Sequence, residues 1–148
     1  MPTDTSKQTV EIAAPLDVVL AAVRDIEGQV TWVPQILEAE VLEKRDDGLP
    51  EKAHFKASAT VGTDEYTLAY EHADTAITWS MVKGKMQTGQ EGSYVLRSVD
   101  PGRTSVTYEL TIHHNLPLPG FIRNRVIKGL VADALKGLKE HLEAGAGS

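Results

Sequence analysis

Two hydrophobic rhythms divide the chain. Over residues 119–143 apolar side chains recur every three or four positions, from Ile122 through Val126, Ile127, Leu130, Val131, Ala134, Leu135 and Leu138 to Leu142. At about 100° per residue this set fills roughly half of a helix circumference. Arg125, Lys128, Lys136 and Lys139 fall opposite. Pro119 suits the first turn, which needs no backbone donor, while Gly145 and Gly147 mark the expected end. A stripe of this length is not stable alone in water, so it requires a large apolar partner.

The second rhythm, of period two, supplies that partner. Residues 8–13, 37–41, 53–61, 65–71, 77–81, 93–97 and 105–112 alternate apolar and polar, which predicts seven strands. Between the first two strands, residues 15–26 carry a helical stripe of Val18, Val19, Ala22, Val23 and Ile26, and residues 30–36 predict a short helix or turn stopped by Pro34. Turns are expected at Asp46-Asp47-Gly48, Gly62-Thr63, Ala73-Asp74, Lys83-Gly84-Lys85 and Asp100-Pro101-Gly102, with Gly89 also in a hairpin loop. Leu42 interrupts the alternation, so a bulge or slip is expected there. Short strands joined by short turns imply a meandering antiparallel sheet, apolar on one face only. The predicted fold is α+β: a curved seven-stranded antiparallel sheet wrapped around a long C-terminal helix, with two short helices between strands one and two. It forms a single domain over residues 1–148, with residues 144–148 as a disordered tail.

Composition narrows the function. A net charge of -6 argues against general nucleic-acid binding, which needs a basic footprint. The absence of cysteine removes disulfides, thiolate nucleophiles and Cys-ligated metals. Residues 1–7 are polar and no apolar run approaches a membrane span, so a cytoplasmic location without integral membrane association is expected. No glycine-rich phosphate loop, nucleophile elbow or metal-ligand spacing is present, so neither cofactor nor metal is expected.

Candidate chemistry lies on the inward face. Tyr66, Tyr70, Tyr94 and Tyr108, all four tyrosines of the chain, share that parity with Phe55, Trp79, Met81 and Leu110. Phenols facing an apolar lumen place a few polar groups where a ligand site needs them, although aromatic residues equally suit strand packing. Ala57, Ala59, Ala134 and Gly137 either leave volume unfilled or let helix and sheet approach closely. Arg123 falls within the apolar arc of the long helix, in its first turn. There it either holds a ligand carboxylate at a cavity mouth or packs its stem with a solvated head. His114 shares the inward parity of Tyr108 and is either an acid–base group at the rim or a surface histidine. Glu38, Glu40, Glu43 and Glu65 read as a solvated sheet face, and no inward carboxylate cluster is expected.

The element order, with Ala14-Pro15-Leu16-Asp17-Val18-Val19 after the first strand, Trp32 before the second and Leu116-Pro117-Leu118-Pro119 before the last helix, resembles the START-like helix-grip (SRPBCC) superfamily. Within it the chain is most similar to the bacterial polyketide cyclase/dehydrase and lipid-transport family, over essentially its whole length. That resemblance implies a sheet gripping the C-terminal helix around a cavity for a hydrophobic small molecule. Trp32, Phe55, Tyr66, Tyr70, Trp79, Met81, Tyr94, Tyr108 and Leu110 are the expected ligand-binding residues of the sheet side, and Val126, Leu130 and Ala134 those of the helix. The expected function is carriage or sensing of a lipid, polyketide or related compound. The alternative is a polyketide cyclase, aromatase or dehydratase, with Tyr108, His114 and Arg123 as catalytic candidates. A structural role with a filled core is the third possibility, and the sequence fits a monomer or a homodimer.

Overall fold

A computed structural model describes residues 3–59 and 62–146. Its order is β1 (Thr3–Ile12), α1 (Leu16–Arg24), α2 (Gln29–Trp32), β2 (Ile36–Lys44), β3 (Pro50–Ala59), β4 (Gly62–Ala73), β5 (Ala76–Gly84), β6 (Gln87–Asp100), β7 (Arg103–His114) and α3 (Gly120–Ala146). The seven strands form one curved antiparallel sheet in the order β1-β7-β6-β5-β4-β3-β2. Strands two to seven are a meander, and β1 closes onto the last of them.

Several boundaries move, each for a physical reason. β1 begins at Thr3 rather than residue 8, although residues 3–7 lack an apolar residue. Its backbone pairs with β7 from Thr3↔His113 to Ile12↔Thr104. Cross-strand threonine pairs reinforce the outer face, with hydroxyl oxygens 2.9 Å apart at Thr5–Thr111 and again at Thr9–Thr107. β6 likewise extends back to Gln87, so Gly89 lies in a strand opposite His113 and not in a hairpin loop. α1 stops at Arg24, two residues early, where Asp25 leaves helical geometry and its carboxylate accepts the Gly28 N–H at 3.2 Å. The irregularity expected at Leu42 is present as a register shift between Val41 and Glu43. Gly48, with φ +88°, supplies the left-handed residue of its turn. The expected end of strand three, Thr60 and Val61, lies outside the described residues. α3 continues through Ala146, so residues 144–146 of the expected tail are helical.

α3 packs mainly on β1 and β7, α1 against β5 to β7, and α2 between β2 and α3. Ile127, Val131, Leu135 and Leu138 of α3 are all at most 4% exposed. Each such side chain contributes about 1.5–3 kcal/mol through burial, which a lone helix would forgo. Among the described residues no helix is long and apolar enough to cross a membrane.

Candidate functional site

The sheet does not close on α3 along the whole helix. Between the first half of α3, the start of β2, the segment 115–119 and the ends of β3, β4 and β6 lies an open cavity of about 450 Å³. A second, much smaller void of about 40 Å³ lies deeper, among aromatic rings of the central strands.

The expected ligand-binding residues separate between these spaces. Leu110, Val126, Leu130 and Ala134 border the large cavity. Tyr66 and Tyr108 border both spaces. Phe55, Tyr70, Trp79 and Tyr94 border only the small void. Trp32 and Met81 border neither. Trp32 meets Tyr94 in a T-shaped contact at 6.3 Å, and its carbonyl oxygen fills the space where Gly137 lacks a side chain. Gly137 therefore serves close approach, but to α2 and not to the sheet. The Met81 sulfur lies over Gly84 at the edge of β5.

The aromatic rings on the inner face of the sheet pack in two sets of contacting rings. Tyr94 stacks on Tyr108 at 4.4 Å, and Trp79 lies 5.5 Å from Tyr94, 5.9 Å from Tyr108 and 6.0 Å from Tyr70. The indole of Trp79 covers its cross-strand partner Gly92, where a Cβ would overlap the ring. Phe55 stacks on Tyr66 at 5.5 Å. Burial pushes the phenols of Tyr66, Tyr70, Tyr94 and Tyr108 well above the ordinary tyrosine value, and at Tyr66 the charge of Asp64 adds to it. All four are neutral hydroxyls at any working pH, so Tyr108 offers a proton donor and not a base.

Polar groups do enter the lumen, contrary to the expectation from apolar alternation. His114 is 5% exposed, at its expected parity, and its Nε2 lies 2.6 Å from an Asp4 carboxylate oxygen. The Leu116 N–H donates to its Nδ1 at 3.1 Å, so the imidazole carries its proton on Nε2 and donates to Asp4. The other Asp4 oxygen accepts from Nε of Arg123 at 3.3 Å, while Nη1 of Arg123 donates to the Leu118 carbonyl at 3.3 Å. Arg123 thus stands at the cavity mouth, as expected, but already faces a carboxylate of its own chain. Both ring nitrogens of His114 are also engaged.

A second cluster lies on the wall formed by β4 and β6. The Trp79 indole N–H donates to Oε1 of Gln90 at 3.0 Å, Nε2 of Gln90 donates to Oε1 of Gln87 at 2.9 Å, and Nε2 of Gln87 donates to Asp64 at 3.0 Å. Asp64, 4% exposed, also accepts the backbone N–H groups of Glu65 at 2.9 Å and Met86 at 2.8 Å. Asp4, Asp64, Gln87 and Gln90 were all missed by a reading that followed apolar runs. Alternation carried past those runs finds three of them: Asp4 shares parity with Val10 and Ile12, Asp64 with Tyr66 and Leu68, and Gln90 with Tyr94 and Leu96.

Comparison with known proteins agrees with this architecture. A START superfamily protein from Mycobacterium smegmatis superposes with a TM-score of 0.88 at 23% identity, covering 95% of this chain and 97% of that one. The Zhui aromatase/cyclase from a Streptomyces species gives 0.75 at 14% identity, over 96% and 94%. A STAR-related lipid transfer protein from Xanthomonas axonopodis gives 0.70 at 21%, over 94% and 85%. At these identities the likeness shows the fold alone. No protein of curated function matches the sequence. The profile of one family, described as polyketide cyclase / dehydrase and lipid transport, matches residues 3–143. The chain belongs to the polyketide cyclase / dehydrase and lipid transport family, within the START-like helix-grip fold.

Proposed function

We propose that this protein binds a hydrophobic small molecule in the cavity between the curved sheet and α3, as a carrier or sensor. The observation that carries this reading is the cavity itself. Its volume of about 450 Å³ lies within the roughly 300–1,000 Å³ of small-molecule sites, and Leu110, Ile112, Val126 and Leu130 give it an apolar wall. Burial of a ligand against that wall supplies the driving force, at about 25 cal/mol per Å² of apolar surface removed from water. The engaged nitrogens of His114 and the Asp4-bound Arg123 favour binding over turnover, because neither group is free to exchange a proton with a ligand while those contacts stand. Native mass spectrometry of protein purified from its own host tests the reading, together with thermal unfolding across a panel of lipids and polyaromatic compounds. A retained ligand, and a Tm that rises with ligand concentration by mass action, are expected. The Leu130→Trp variant, which fills the cavity, should lose both. A panel without any shift and a protein carrying no small molecule would overturn the reading.

A cyclase or dehydratase acting in the same cavity is the second reading. The protonated Tyr108 phenol on the wall favours it, since a donor held beside a folded substrate can contribute through orientation. Turnover of a reactive polyketide that disappears in Tyr108→Phe would establish it.

A further inference from the structure

The polar relay on the cavity wall has a direction. An indole N–H only donates, so Trp79 fixes Gln90 with its oxygen toward the indole and its amide N–H toward Gln87. Gln87 is held the same way and delivers its N–H to Asp64. Every group in the relay thus points its donor toward Asp64, where the series ends on an acceptor. Oδ1 of Asp64 takes two backbone N–H groups, from Glu65 and Met86, and Oδ2 takes the single N–H from Gln87. A carboxylate offers about four acceptor positions, so Oδ2 retains one, and Asp64 borders the cavity. Among the described residues no Lys, Arg or His lies within ion-pair distance of Asp64. The nearby mouth arginine, Arg123, is paired with Asp4. Arg125 also borders the cavity but is exposed, so water and salt screen it.

We propose that Asp64 forms the polar end of the cavity and selects hydrophobic ligands with a hydrogen-bond-donating head group, a hydroxyl or an ammonium, over those that end in a carboxylate. The inference rests on the binding function proposed above and specifies which class of molecule binds. A donor reaching Oδ2 makes a charge-assisted hydrogen bond to a carboxylate that is otherwise buried. A ligand carboxylate placed there brings a second negative charge against a buried one, and among the described residues no cation pairs with Asp64 to offset it.

Equilibrium dialysis near neutral pH with naphthalene, naphthol, naphthylmethylamine and naphthoate separates the terms. Naphthol and naphthylmethylamine should bind the wild-type protein about tenfold or more tightly than naphthalene, and naphthoate more weakly than naphthalene. Asp64→Asn should bring naphthol close to naphthalene and improve naphthoate. Gln87→Met, which removes a donor from Asp64 but keeps the carboxylate, should retain or strengthen the preference for naphthol. If Asp64→Asn does not fold, the wild-type ranking and Gln87→Met decide. Naphthalene binding with no gain for naphthol, or naphthoate binding as tightly as naphthol, would overturn this inference and leave the binding function standing. Binding of none of the four probes would overturn both.

Discussion

The two halves of α3 face opposite solutions to one problem. Toward its C-terminus, Leu135 and Leu138 are at most 4% exposed, and Gly137 lets the helix rest on the Trp32 carbonyl. Helix, α2 and sheet are in direct contact there. Toward the N-terminus, Val126 and Leu130 belong to the same apolar stripe, yet they face a space of about 450 Å³ bordered by Asp4, Asp64, His114 and Arg123. The sheet differs in the same sense, with interlocked rings behind and polar clusters at the mouth. One end of the grip stores stability, while the other leaves apolar surface unpaired within a polar frame, which is the composition of a binding site.

Four measurements break or sharpen that contrast. The largest effect is expected in alkali. The four buried phenols hold their protons in the fold above the ordinary value of 10.0, whereas the unfolded chain releases them there. With folded values raised, their stabilisation is complete below that pH and is lost as pH rises. At about pH 11 the loss is on the order of 1 kcal/mol per tyrosine and several for all four, a large share of the stability of a small domain. Denaturant unfolding across that range should show the collapse, and Tyr94→Phe should remove about a quarter of it. A flat profile would mean that the rings are far more solvated than the packed end requires.

Next is Leu138→Ala, which should cost about 4 kcal/mol because its rigid surroundings cannot collapse into the vacancy. Leu130→Ala, one wall of an existing cavity, should cost about 1–2 kcal/mol while weakening ligand binding. Equal losses would erase the distinction between the two halves. Gly137→Ala follows, at about 3 kcal/mol, since its Cβ would overlap the Trp32 carbonyl and push α2 from α3. Thermal unfolding reads it, and an unchanged Tm would show that this end is not tightly closed.

The smallest effect belongs to the exposed latch beyond the packed end. Lys139, hydrogen-bonded at 2.6 Å, holds Glu143 below its ordinary value of 4.5, and the Ala13 N–H at 2.9 Å assists. A lowered folded value means that this contribution is present above the ordinary value and is lost as pH falls through the folded one. The difference in Tm between neutral and acidic solution should therefore narrow slightly in Glu143→Gln. A difference identical in the two proteins would remove the latch.

Much of the framework was legible because it depends on local periodicity. The α3 stripe, seven strands, the break at Leu42 and the inward parity of His114 follow from side-chain direction along a regular backbone. The ends of β1 and β6 were not, because those segments are polar and are strands only through pairing with β7. Trp32 illustrates another limit. Its apolar character placed it inside, but whether it met ligand space or α3 depended on how α2 turns after Gly28.

The sequence by itself determined which side chains face inward, since alternation and helical spacing assign each residue a face whatever lies opposite. Only the tertiary structure decided which inward residues meet one another and which meet empty space. Asp4 and His114 are 110 positions apart, and no period links them. Asp64, Gln87 and Gln90 converge only after β4, β5 and β6 have folded back on each other. Whether inward means core or cavity depends on the distance between sheet and helix, which no local period encodes.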